Sequence, residues 1–353
     1  RMEIIKTELT EIKEKYGDDR RSTIEYGGGD LKIEDMIPNE EVVITISHLG
    51  YIKRTKLTEY KSQNRGGVGS RGATTRDADF LEDMFVASNH DYMLFFTEKG
   101  RCFWLRVFEI PEGAKTTKGR AIQNMINIPS DDKVMAFINT KDLKDDEYVN
   151  SHCVVMCTKK GVVKKTNLES YSRPRQNGIN AISIREGDQL LEAKLTTGNS
   201  QIMLAVKSGK AIRFEEEKVR PMGRTASGVR GITLVGNDQV IGMVCAQDFS
   251  RTIMVVSENG FGKRSSYLDY RVTNRGGKGI IGIINSPRNG NISSSLVVSE
   301  NDEIILSTDK GSIMRCAVKE IRVAGRNTQG VRIKKLSGSE KVVSVIKIED
   351  NIQ

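Results

Sequence analysis

Short apolar runs of three to five residues recur along most of the chain, and each is followed by a glycine and a second, more basic run. Runs of this length bounded by turn residues are typical of strands, and a glycine between two runs suits a tight hairpin because it can adopt positive φ. The pattern therefore predicts a series of β-hairpins. Their first strands are Val42–Ile46, Met93–Phe96, Val154–Met156, Ile202–Val206, Ile253–Val256 and Ile304–Leu306.

The glycines at these turns divide the chain into six repeats. They are separated by 50, 61, 48, 51 and 51 residues, and a second glycine follows each after 19 residues, or after 17 in the third repeat. A repeat of about 50 residues is the size of one small antiparallel propeller blade. We therefore expect an all-β, six-bladed, propeller-like fold, with an extended β-solenoid as the weaker alternative. The predicted blades lie near 42–90, 91–140, 150–195, 200–247, 251–292 and 295–349.

Two places depart from this regular pattern. The first repeat has no clear third strand after Gly69, and the 61-residue spacing contains an acidic insertion, 141–147, which we expect to be a surface loop. Residues 1–16 follow a helical period instead, because apolar residues recur there at spacings of three and four. We therefore predict a helix stub and linker over 1–34, which packed on another part of a longer protein, and a six-repeat domain over 35–350.

The basic residues of the chain recur with the repeats. The formal net charge is +9, yet residues 1–40 hold 7 Lys or Arg against 11 Asp or Glu, so the positive charge belongs to the repeats. A periodic positive charge indicates a polyanionic partner. The residues three or four positions before the second glycines are Arg65, Lys115, Arg175, Arg224, Arg275 and Arg326.

The loops before the second glycines combine glycine with arginine or lysine. Glycine lets the backbone approach a phosphate chain closely, and a guanidinium supplies charge and paired donors to phosphate oxygens. The strand after each first glycine also carries basic residues, and side-chain alternation predicts that these point outward and line the rim of the blades. They are Lys53, Arg54, Lys164, Lys165, Arg213, Lys263, Arg264 and Arg315.

Several function classes lack support in the sequence. No run of 18 apolar residues predicts a membrane span, and no Ser/His/Asp set, paired carboxylates or phosphate-binding loop of the Gly-x-x-x-x-Gly-Lys type occurs. The five cysteines show no zinc spacing. We expect no catalytic residues, no metal site and no cofactor in this chain, no membrane association, and a cytoplasmic location.

Residues 63–69 carry a resemblance to a known family. Gln63 followed by Arg65-Gly66-Gly67-Val68-Gly69 resembles the GyrA box of the DNA gyrase A subunit, which has the form Gln-(Arg/Lys)-Arg-Gly-Gly-(Arg/Lys)-Gly. Asn64 and Val68 stand at two positions where that box usually has Arg or Lys. Residues 44–54 are similar to the family's first-blade entry, and residues 8–22 resemble the end of its cleavage core.

The resemblance implies a six-bladed β-pinwheel in which neighbouring blades exchange strands. It also implies that double-stranded DNA wraps around the basic rim, largely independently of sequence, and gives the chiral crossover that ATP-dependent negative supercoiling requires. The expected partners are the gyrase A cleavage core and the gyrase B subunit in an A2B2 holoenzyme, associated with the nucleoid. This fragment would be non-catalytic, within a parent type II topoisomerase that hydrolyses ATP.

Three other functions stay open at this point: the C-terminal domain of the topoisomerase IV counterpart, a protein-binding propeller, and a glycosidase-like propeller enzyme. The last has the least support because the acidic residues do not recur. The candidate DNA contacts are Gln63, Arg65, Gly66, Gly67, Gly69, Arg71, Lys53, Arg54, Lys115, Lys118, Arg120, Lys164, Lys165, Arg173, Arg175, Arg213, Arg224, Arg230, Lys263, Arg264, Arg275, Lys278, Arg315, Arg326 and Arg332.

Overall fold

The computed structural model describes residues 1–18, 21–22, 33–47, 49–59, 81–114, 116–310 and 312–348. The chain forms two compact units, Arg1–Pro38 and Asn39–Gln353. The first unit contains helix α1 (Met2–Tyr16), as the helical period predicts. Its apolar stripe is exposed within that unit. Among the described residues, no helix has the length and apolarity that a membrane crossing requires.

The second unit consists of antiparallel strands in six sheets. The first strand of each repeat is β1 (Glu41–Ser47), β4 (Tyr92–Thr97), β8 (Cys153–Thr158), β12 (Gln201–Val206), β16 (Thr252–Ser257) or β20 (Glu303–Thr308). The second, after the first glycine, is β2 (Tyr51–Lys56), β5 (Arg101–Arg106), β9 (Val162–Asn167), β13 (Lys210–Glu215), β17 (Phe261–Ser266) or β21 (Ile313–Ala317). The third is β3 (Leu81–Ser88), β7 (Val134–Thr140), β11 (Leu190–Thr196), β15 (Val240–Ala246), β19 (Ile292–Val298) or β23 (Val342–Ile348).

Neighbouring repeats exchange strands. After each second glycine from the second repeat onward, a two-residue strand pairs with the second strand of the preceding sheet. In the first sheet, for example, Tyr51 pairs with Ala121 and Ile52 with Arg120. The implied strand exchange is therefore confirmed, and it ties each sheet to the next repeat in the chain. The exchanged strands are β6 (Arg120–Ala121), β10 (Ile179–Asn180), β14 (Val229–Arg230), β18 (Ile280–Ile281) and β22 (Val331–Arg332).

The third strands form the inner edge of every sheet, and the exchanged strands form the outer edge of the first five. Third strands of successive sheets contact one another from the second sheet to the sixth, and β23 of the sixth sheet contacts β3 of the first. The six sheets therefore close into a ring. Five hydrophobic clusters of buried residues lie between successive sheets from the first to the sixth, so each repeat is stabilised mainly by packing against its neighbours.

Two local expectations were wrong. The first repeat does have a third strand, β3, although the acidic residues in its opening sequence Leu81-Glu82-Asp83-Met84 obscure the apolar run. The acidic insertion is not only a loop, because it leads into helix α2 (Asp146–Ser151). The Asp145 carboxylate accepts hydrogen bonds from the backbone N–H groups of Glu147 and Tyr148 and so caps the first turn of that helix.

Candidate nucleic-acid interface

From the second repeat onward, the loops that precede the second glycines lie on the outer edge of the sheets. We call them basic loops 2 to 6, after their repeats; they span 111–119, 172–178, 220–228, 271–279 and 322–330. Four of them start with a parallel bridge to the second strand of the preceding sheet and end in the exchanged strand on that same strand. In basic loop 4, for example, Pro221 pairs with Lys165 and Val229 pairs with Val163.

The second glycine allows this close return of the chain. Gly228 has φ of +83°, and a Cβ atom at that position would lie 2.6 Å from the Val163 carbonyl oxygen. A side chain would therefore clash with the strand on which the loop lies. The glycine recurs in the second to sixth repeats because each of these loops turns back at a similar distance from the strand.

The prediction that the basic residues of the second strands line the rim is wrong. Six of them are at most 5% exposed, because the basic loop of the next repeat covers the outer edge of their strand: Lys53, Lys164, Lys165, Arg213, Lys263 and Arg264. Arg54 is half-buried for the same reason. Arg315, on the sixth sheet, is exposed, and its guanidinium donates to the Glu303 carboxylate.

In the first five repeats, the fourth residue after the first glycine holds the next repeat in place. Its side chain donates to a backbone carbonyl in or next to the short 3-10 turn that precedes the basic loop. Arg54 Nε donates to the Ile110 oxygen at 2.7 Å, Trp104 Nε1 to the Tyr171 oxygen at 2.9 Å, Lys165 Nζ to the Glu216 oxygen at 3.3 Å, Arg213 Nη1 to the Tyr267 oxygen at 2.7 Å, and Arg264 Nε to the Ile321 oxygen at 2.7 Å. The Trp104 indole makes the same hydrogen bond as the lysine and arginine side chains at this position. The requirement that these residues share is therefore an N–H donor rather than a charge.

The third residue after the glycine fills the centre of the basic loop. In basic loops 2, 4 and 6 it is a lysine. Lys164 Nζ donates to the Ala181 and Arg224 carbonyl oxygens, both at 2.6 Å, and Lys263 Nζ donates to the Gly325 carbonyl oxygen at 2.7 Å. Lys53 Nζ donates to the Ala114 and Thr117 carbonyl oxygens, both at 2.9 Å. Burial lowers the pKa of Lys53, and it lowers the pKa of Lys164 and of Lys263 to about 8.

Basic loops 3 and 5 have an apolar side chain at the same position. Phe103 lies beneath Gly178 and Ile212 beneath Gly277. We therefore distinguish ammonium-centred loops, which are basic loops 2, 4 and 6, from apolar-centred loops, which are basic loops 3 and 5.

The other predicted contact residues fall into three groups. Arg224, Arg275 and Arg326 are half-buried. Gln63, Arg65, Gly66, Gly67, Gly69, Arg71 and Lys115 fall outside the described residues. The exposed ones are Lys118, Arg120, Arg173, Arg175, Arg230, Lys278 and Arg332.

Basic loops 3 to 6, with the exchanged strands that follow them, are hydrogen-bonded to one another, and we call this series the belt. Backbone N–H groups of Ser183, Thr233 and Ile284 each donate to a carbonyl oxygen of the next loop, at 3.2, 2.8 and 3.0 Å. The half-buried arginines add to these links. Arg275 Nη1 donates to the Arg230 carbonyl oxygen at 3.0 Å, and Arg326 Nη1 donates to the Ile281 carbonyl oxygen at 2.7 Å. The exposed cations of the belt therefore stand side by side along one edge of the ring.

Sequence reasoning missed one set of exposed cations in the belt. Arg220, Arg271 and Arg322 each lie eight residues before the second glycine and form the first residue of basic loops 4, 5 and 6. All three are exposed. The constant offset is the signal that could have found them.

Known proteins share this sequence pattern. The family model for the DNA gyrase C-terminal domain, beta-propeller, matches residues 41–88, 91–141, 154–197, 201–247, 251–299 and 302–349. The chain is 43% identical over 351 residues, or 99% of its length, to the DNA gyrase A subunit of Staphylococcus epidermidis (strain ATCC 12228). It is 41% identical to that of Staphylococcus aureus (strain NCTC 8325) over an alignment of 354 positions that covers the whole chain. It spans 39% and 40% of these two relatives.

Two solved structures share the fold. A C-terminal domain of DNA topoisomerase IV superposes with a TM-score of 0.74 at 28% identity, covering 89% of this chain and 95% of that one. A DNA gyrase A C-terminal domain superposes with a TM-score of 0.71 at 23% identity, covering 88% of this chain and 100% of that one. The predicted six-bladed, propeller-like fold is confirmed.

Proposed function

Because the chain belongs to the family of DNA gyrase C-terminal domains, we propose that it binds duplex DNA along the belt and bends it around the outer edge of the ring. The observation that carries this proposal is the belt itself: four basic loops, joined by hydrogen bonds, present exposed cations such as Arg175, Arg230 and Arg332 on one continuous edge. A polyanion that follows this edge meets a cation at each loop without any single deep site.

The energetics favour many shallow contacts. Bending a site of 20–30 bp by 40–90° costs about 1–6 kcal/mol, and bending around several sheets costs more. No single arginine offsets such a cost, but several loops that each neutralise phosphates can. In this arrangement the exposed guanidinium and ammonium groups contact phosphates and not the edges of the bases, so binding is largely independent of DNA sequence.

In the parent protein, the bent DNA would cross itself with a defined hand next to the cleavage core. This crossover is what lets strand passage, driven by ATP hydrolysis with the gyrase B subunit, introduce negative supercoils. The chain itself contributes binding and bending and no covalent chemistry. Gln63, Arg65 and the glycines of the box would extend the contact surface to the first repeat.

The test is the linking-number change on relaxed circular DNA, combined with binding across a salt series. We expect affinity to fall steeply with salt, with a slope of about −0.9 per neutralised phosphate, and the circles to change linking number after relaxation in the presence of the chain. Salt-independent binding, or no binding, would instead favour the protein-binding propeller.

A second candidate function is that of a topoisomerase IV C-terminal domain, which the superposition with such a domain favours. That function needs DNA contact without a full wrap. Steep salt dependence with no linking-number change is the result that would select it.

A further inference from the structure

We propose that Arg220, Arg271 and Arg322 form a second row of phosphate contacts, so that the belt holds one duplex by two parallel rows of cations. This inference rests on the proposed function, since it assigns residues to the same DNA-binding edge. We call these three arginines the start row, because each is the first residue of its basic loop.

The fold fixes the position of the start row. Each of the three arginines follows a buried residue that ends the 3-10 turn: Val219, Tyr270 or Ile321. The residue after each arginine is bridged to the second strand of the preceding sheet, as Pro221 is to Lys165. These anchors on both sides hold the backbone of each arginine, and all three side chains are exposed.

Other cations stand at the opposite end of the same loops. Arg230 pairs with Val162, and Arg332 pairs with Phe261, while Lys278 lies just before the exchanged strand β18. These three residues are exposed, and we call them the end row. The start row continues from basic loop 4 to basic loop 6. In basic loop 5 the position that corresponds to Arg230 and Arg332 is Ile281, and Lys278 stands three residues before it, so the strand-paired members of the end row lie in basic loops 4 and 6.

The distance between the rows follows from the strand on which each loop lies. In basic loops 4 and 6, the parallel bridges of Pro221 to Lys165 and of Val323 to Arg264 place Arg220 level with Lys164 and Arg322 level with Lys263. These positions are two residues beyond Val162 and Phe261, the partners of the end row. A strand rises about 3.3 Å per residue, so the backbones of the two rows lie about 7 Å apart in these two loops. This gap is between the widths of the two DNA grooves, about 6 Å for the minor and 12 Å for the major. Two rows at that separation can reach phosphates on both sides of one groove.

The experiment compares the salt dependence of DNA binding for two triple variants of the whole chain. In the first, Arg220→Gln, Arg271→Gln and Arg322→Gln remove the start row. The control removes the same charge with Lys133→Gln, Lys141→Gln and Lys144→Gln. These lysines are exposed too, but they flank or follow the inner-edge strand β7. The probe is a linear duplex of mixed sequence, and binding is followed by fluorescence anisotropy.

We expect the start-row variant to lose about 2.7 from the magnitude of the salt slope, which corresponds to three phosphate contacts. The control variant should change the slope by less than about 1. Both variants should unfold at the wild-type temperature, since they alter exposed side chains only. Equal slopes for wild type and start-row variant would overturn the second row while leaving DNA binding intact. A wild-type chain that binds no duplex would overturn the proposed function instead.

Discussion

The ammonium-centred and apolar-centred loops lie on the same edge of their sheets but differ in the side chain at their centre. Lys164 is fully buried and donates to two carbonyl oxygens that surround it. Ile212 occupies the same place in the next sheet, is 2% exposed, and packs beneath Gly277. In basic loop 4 the central lysine donates hydrogen bonds to carbonyl oxygens that face it. In basic loop 5 the central isoleucine fills the same space with an apolar side chain.

The comparison separates two uses of positive charge. The buried lysines serve the fold, because they donate to backbone oxygens of the loop that covers them. The exposed cations of both kinds of loop do not have this structural role, and their charges are available to bind a polyanion. Phe103 and Ile212 support loops that carry exposed cations such as Arg175 and Lys278, just as the ammonium-centred loops do. A basic loop can therefore present exposed cations without a buried lysine at its centre.

The largest difference between the two kinds of loop should appear when the central residue becomes methionine. Lys164→Met keeps most of the volume but leaves the Ala181 and Arg224 oxygens without their ammonium donor. Each buried acceptor left without a donor costs about 1–3 kcal/mol, and two lose their donor here. Removing a buried charge offsets part of this cost, so we expect a loss of about 2–3 kcal/mol of unfolding free energy. Urea denaturation measures it.

The matched control is Ile212→Met, an apolar exchange of similar volume that should cost less than about 1.5 kcal/mol. Methionine is already present at this register as Met314 in the sixth repeat. Equal losses for the two variants would mean that the centre of both loops acts by volume alone, and the distinction between them would fail.

A smaller effect should appear with pH. Burial lowers the pKa of Lys164 and Lys263 to about 8 from an ordinary value near 10.5. Between those values the unfolded chain binds more protons than the folded chain, so stability contributed by these lysines rises with pH. The neutral amine still has N–H groups for the carbonyl oxygens. We expect the stability advantage of the wild type over a Lys164→Met, Lys263→Met variant to grow between pH 8 and 10.

The pH measurement needs the charged neighbours to stay constant. Arg224 faces Lys164, while Arg326 and Asp269 face Lys263. Ile212→Met gives the reference without a titrating centre, and its difference from the wild type should be flat with pH. An advantage that shrinks above pH 8 would show that the carbonyl oxygens require the charged ammonium.

The sequence pattern predicts the strands, the repeat and the basic loops because those depend on local spacing. The six first strands and the loop cations such as Lys278 follow directly from apolar runs and glycine offsets. The burial of Lys53 and Arg213 does not, because it arises from a loop 50 or more residues further along the chain that covers their strand. Alternation along a strand indicates which side chains share a face, but not whether another segment covers that face.

The smallest expected effect tests whether exposed cations of the two kinds of loop contribute equally to DNA binding. Lys118 and Lys278 are both exposed and stand directly before the second glycine, the first on an ammonium-centred loop and the second on an apolar-centred loop. Lys118→Ala and Lys278→Ala should each change stability by less than about 0.5 kcal/mol, and each should reduce the magnitude of the DNA salt slope by about 0.9. Basic loop 2 lies outside the belt, so the comparison also measures how far the DNA follows the ring. If only Lys278→Ala changes the slope, the duplex contacts the belt and ends before the second repeat.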